Sequence, residues 1–130
     1  MLLCLLHKSK LMKTESIISV KSFLSALKII KTHRLINHTH KEFILSKQLL
    51  RSGTSIGANV AEGLAAFSRK DFEFKISIAY KEARETVYWL KLLEASQIID
   101  LEMFNELILD LDELQRLLGS TLVTLRKNQK

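Results

Sequence analysis

Along the chain the large apolar side chains return at intervals of three and four rather than two, a spacing that predicts helices and no strands. Val20, Phe23, Leu27 and Ile30 mark the first such stripe, so a helix is expected over about 16–36 with these four residues on its buried face. The polar run Asn37, His38, Thr39, His40 interrupts it, and Thr39 with Glu42 has the spacing of a capping box that opens a second helix over about 40–66. Ser68 with Asp71 repeats the signal for a third. Its stripe of Phe72, Ile76, Ala79, Ala83, Val87, Leu90 and Leu93 extends to about Gln97. Asp100 is the expected N-cap of a fourth helix carrying Leu101, Phe104, Ile108, Leu111, Leu114, Leu118, Leu122 and Leu125. Arg126 and Lys127 complement the dipole at its C-terminal end. Proline is absent and glycine occurs only four times, so little compels these helices to stop. Short connections between them predict an all-α, antiparallel up-down-up-down four-helix bundle over residues 16–127. Residues 1–15 are expected to form a flexible leader, or in part an extension upstream of a start at Met12.

Composition narrows the class of protein. The chain has 130 residues, 47% of them hydrophobic and 26% charged, enough for one domain with a core of its own. A single cysteine, Cys4, excludes an intramolecular disulfide or a cysteine-based metal site and points to a reducing cytoplasm. The apolar run Leu2–Leu6 is far too short to span a membrane. Bulky residues off the main stripe of the third helix (Phe74, Ile78, Tyr88, Trp89, Leu92) exceed what one interior face hides, and that surplus points to self-association.

Charge changes the picture more. The net charge is +6, but residues 1–40 carry seven Lys or Arg against Glu15 alone, and residues 71–130 are net acidic. Lys21, Lys28 and Lys31 fall within about 80° of arc, opposite the expected apolar stripe of the first helix. With Arg34, Lys41 and Lys47 they make a candidate surface for nucleic-acid phosphates, which an oligomer would multiply. No aromatic-rich motif for reading single-stranded bases accompanies it, so weakly specific, salt-sensitive binding is expected.

Other constellations read as structure rather than chemistry. His33, His38 and His40 cluster near the first turn with only Glu42 beside them, which suits solvated histidines better than a metal site. The run from Arg51 to Gly63 lacks the Gly-Lys-Ser/Thr ending of a phosphate-binding loop, and on a helix Gly53, Gly57 and Ala61 are four apart, as close packing against a neighbour requires. Asn59 and Glu62 with Arg84 and Glu85 are expected to form a polar cluster between the second and third helices, with Glu62 paired to Arg84. No nucleophile and base stand together, so no enzyme activity, cofactor, metal or small-molecule substrate is expected.

The segment from Leu49 to Leu93, with the blocks RSGTSIGANVAEG and KEARETVYWLKLL in order, resembles the "four helix bundle protein" family, which includes proteins encoded in 23S ribosomal RNA intervening sequences. The resemblance implies an antiparallel four-helix bundle assembled as a ring-shaped homo-pentamer. It extends to the accessory protein of diversity-generating retroelements, a basic pentameric bundle that binds nucleic acid and a reverse transcriptase. Two roles follow as expectations: a non-catalytic oligomer that binds RNA or DNA through its basic face, or a structural module whose partner is another protein.

Overall fold

The computed structural model describes residues 2–128, with side chains from residue 13 onward. Four helices follow one another: α1 (Leu2–His40), α2 (Ile44–Leu64), α3 (Arg69–Ala95) and α4 (Leu101–Lys127). α1 and α3 each pack against both α2 and α4 but not against one another. They stand diagonally across an antiparallel four-helix bundle. Of the expected leader, the side chains of residues 1–12 lie outside the described residues.

Local chemistry starts three of the helices. The Ser68 hydroxyl accepts from the Asp71 N–H at 3.0 Å, and the Asp100 carboxylate accepts from the Met103 N–H at 2.8 Å, so both caps stand where their spacing places them. The first turn differs from expectation. Helix α1 continues through Thr39 to His40, the break falls at 41–43, and no Thr39 cap forms. Glu42 does the capping instead, its carboxylate accepting from the N–H groups of Ile44, Leu45 and Ser46 at 3.2, 3.0 and 2.9 Å. Partial burial raises the Glu42 pKa, but the three backbone donors outweigh it and hold the carboxyl below its ordinary value. At the ends of α1 and α3, Lys41 and Gln97 take φ values of 51° and 63°, the left-handed turn that glycine more often supplies.

The core is Ile29, Ile36, Leu49, Ile56, Val60, Ile76, Leu90, Leu93, Leu111, Leu114 and Leu118 with their neighbours, all buried. On α3 the expected stripe holds except that Thr86 is fully buried and Val87 only flanks the core. On α4, Leu107 is buried and Leu101 is exposed, since Leu101 lies at the helix start where its face has turned outward.

Helix α1 is inverted. Its buried residues are Ile18, Ser22, Ser25, Ile29, Thr32 and Ile36, whereas Val20, Phe23 and Leu27 are exposed at 56%, 65% and 49% and Ile30 is only half-buried. The reason lies on α2. A Cβ on Gly53 would stand 2.7 Å from Ile29 Cγ2, and one on Gly57 would stand 3.4 Å from the Ser22 carbonyl oxygen. The helices come closest at Gly53, where even a methyl would collide with Ile29, and the α1 inner face sets isoleucines among small hydroxyl residues. Bulkier side chains take the outside.

Candidate nucleic-acid interface

The six expected phosphate-binding cations separate into two groups. Lys21 and Lys28 do not project freely; they lie along the α1–α4 seam. Lys21 Nζ is 2.9 Å from Glu113, and Lys28 Nζ is 2.7 Å from Asp110 and 3.5 Å from Glu106. The hydrogen bond to Asp110 is the main cause of the raised pKa of Lys28, and the charges of Asp110 and Glu106 add to it. Both lysines share their charge with α4 carboxylates while their side chains stay partly exposed. Lys31, Arg34, Lys41 and Lys47 are exposed and make no ion pair among the described residues. They surround the elbow between α1 and α2. His38 and His40 are exposed beside them, and the His33 ring nitrogen contacts the Asn37 amide at 3.2 Å.

The outer face of α1 that carries Lys31 and Arg34 also carries the exposed Val20, Phe23, Leu24 and Leu27. The apolar surplus expected on the third helix thus lies chiefly on the first. On α3, Ile78, Trp89 and Leu92 are half-buried, leaving Phe74 and Tyr88 exposed.

The expected polar cluster is not assembled. Asn59 donates back to the Ser55 carbonyl at 2.8 Å, within its own helix. Glu62 pairs with Lys75 at 2.7 Å instead of with Arg84, and this contact raises the Lys75 pKa. Arg84 lies over the Tyr80 ring at 6.0 Å, and Glu85 pairs with Arg51. Register explains each of these. Antiparallel helices joined by the short turn at 65–68 bring together residues equally distant from it, so Glu62 meets Lys75, and Arg51 meets Glu82 and Glu85. Next to the Arg51–Glu85 pair, the buried Thr86 hydroxyl donates to the Ser52 hydroxyl at 3.0 Å.

The segment from Arg51 to Gly63 lies wholly within α2, as continuous helix rather than a loop. Gly53 and Gly57 face α1 as close packing requires, but Ala61 is exposed. Each step of four residues rotates the face by about 40°, so by Ala61 it has turned away. Gly63 makes the close approach to α3, where its Cβ would lie 3.2 Å from that of Lys75.

A model of the family described as 23S rRNA-intervening sequence protein matches residues 14–120. The chain belongs to that family. A crystal structure from Bacteroides thetaiotaomicron, of a protein of unknown function from the S23 ribosomal protein family, superposes with a TM-score of 0.82. It is 42% identical over 84% of this chain and 97% of its own. Comparison with curated proteins returned no match. The intervening-sequence family therefore supplies a fold and a kinship, and the chemistry must be argued from the surface.

Proposed function

We propose that this intervening-sequence protein is a non-catalytic, cytoplasmic homo-oligomer that binds RNA or DNA phosphates through the α1–α2 elbow. The observation that carries the reading is the set Lys31, Arg34, Lys41 and Lys47, exposed together with no carboxylate paired to them among the described residues. Unpaired, exposed cations can make the counterion-releasing contacts that give nucleic-acid affinity. The bare apolar face formed by Val20, Phe23, Leu24 and Leu27 supports self-association, and the family resemblance supports a pentameric ring. The same apolar face also suits a docking module for a different protein, which is the competing reading.

Two measurements separate them. Affinity for structured RNA is expected to fall steeply with salt, and charge reversal of Lys31, Arg34, Lys41 and Lys47 is expected to abolish it. An affinity that is absent at low salt, or unchanged in that variant, rules out the elbow. Light scattering is expected to report an oligomer that Leu24→Glu with Leu27→Glu reduces to a monomer; a monomeric parent protein favours the docking module.

A further inference from the structure

We infer that the outward face of α3 is a second nucleic-acid surface, built for single strands. The inference rests on the reading that nucleic acid is the partner. Lys70, Phe74, Lys81, Arg84, Tyr88 and Lys91 recur at spacings of three, four and seven, which places them along one side of a helix. All six are exposed, Phe74 at 59% and Tyr88 at 56%. From Lys70 to Lys91 the stripe runs about 31 Å, room for several nucleotides of an extended strand.

The charges on α3 are sorted. Of its five carboxylates, Glu82 and Glu85 turn to Arg51 of α2 and Glu73 turns to Arg126 of α4 at 3.3 Å, while Asp71 and Glu94 lie at the two ends of the helix. Lys70, Lys81, Arg84 and Lys91 have no carboxylate partner among the described residues. Helix α3 is therefore nearly neutral by composition yet cationic along its outer edge. A polyanion fits that edge, and an acidic protein surface would leave the exposed rings without a role.

Those rings distinguish a single strand from a duplex. Beside Tyr88 a cleft of 470 Å³ opens between α3 and α4, with Arg84 and Lys91 on its rim and Val87, Phe104 and Ile108 among its lining. An unstacked base presents a flat apolar face that such a slot accepts, while the flanking cations hold the phosphates on either side. Bases within a duplex are stacked on one another and cannot enter. Asp112 on the α4 side of the same cleft accepts from an N–H at a base edge.

The sole tryptophan makes occupancy visible. The Trp89 ring meets Tyr88 edge to face at 5.2 Å, so a base stacked on Tyr88 alters the surroundings of Trp89. In the full-length protein, an oligouridylate long enough to span α3 is expected to change the Trp89 emission and to bind more tightly than an RNA duplex of equal length. Lys81→Glu with Arg84→Glu and Lys91→Glu is expected to weaken single-strand binding at least a hundredfold and to flatten the log–log salt slope by about 2. Tyr88→Ala should weaken it roughly tenfold, and Tyr88→Phe, which keeps the ring, should not. Circular dichroism confirms that each variant is folded. Unchanged single-strand affinity in the α3 charge variant overturns the inference, whatever happens at the elbow. Loss there with no effect of reversing Lys31, Arg34, Lys41 and Lys47 supports it and overturns the elbow instead. No binding to either nucleic acid at low salt overturns both.

Discussion

Helices α1 and α3 stand diagonally across the same core and meet it with opposite chemistry. α3 turns Phe72, Ile76, Leu90 and Leu93 inward and keeps charge outside. α1 turns three isoleucines and a row of hydroxyls inward and leaves Val20, Phe23, Leu24 and Leu27 bare. Polarity alone cannot account for the difference, because a helix presents its bulkiest residues to the core only where its neighbour leaves room. α1 lies against the face of α2 that carries Gly53, where even a methyl would collide with Ile29, whereas α3 approaches α2 closely only at Gly63 and through the Ser52–Thr86 hydrogen bond. Steric fit overrules hydrophobicity on α1, and the displaced apolar surface becomes available to a partner.

Substitutions can break this contrast, beginning with the largest effect. Leu90→Ala removes a fully buried α3 side chain and should cost about 2–5 kcal/mol in chemical denaturation; a loss under about 1 kcal/mol would mean that α3 is not anchored by burial. Gly53→Ala gains helix propensity but drives a methyl against the stiff Ile29 side chain, for a net loss of about 1–2 kcal/mol. Gly57→Ala meets only ordinary contact distances and should stabilise by about 0.5–1 kcal/mol. Opposite signs at these two glycines are the sharpest check on how close α1 and α2 come.

Smaller effects test the ends and edges. Glu42→Ala removes the cap of α2 and should cost about 1 kcal/mol at neutral pH. Because the folded pKa of Glu42 is depressed, its contribution is present above the ordinary value of 4.5 and is lost as pH falls through the lower folded value. Thermal melts of parent and variant should therefore converge in acid. Ser25 Oγ is buried with no hydrogen-bond partner among the described residues, so Ser25→Ala should be neutral or raise stability by up to about 1 kcal/mol. Lys28→Met is the mildest, costing roughly 0.5 kcal/mol with a difference that fades in high salt. With its folded pKa raised, the Lys28 contribution is complete below 10.5 and disappears only as pH rises through the folded value.

How much of this was legible in the chain depended on the range of the interaction. The four helices and the caps at Ser68 and Asp100 are set by residues three or four apart, and reading them needs no knowledge of the fold. The inner face of α1 is not legible, because the period of Val20, Phe23 and Leu27 is helical but period says nothing of which side faces inward. Charge and adjacent helices alone point Glu62 toward Arg84, whereas antiparallel register gives it Lys75. The α3 cations and aromatics were visible individually. What hid them as a surface is that the neighbouring carboxylates look in sequence as though they cancel those cations, and only the positions of Arg51 and Arg126 show that they do not.

Arg51 carries a consequence of its own. By engaging both Glu82 and Glu85 from the neighbouring helix, one guanidinium on α2 holds two carboxylates back from the cationic edge of α3. Replacing it with alanine would do more than subtract one positive charge, since it would also unmask two negative ones beside Lys81 and Arg84. A residue that touches no phosphate would then weaken the attraction of α3 for a polyanion, and a search confined to the outward lysines would overlook it.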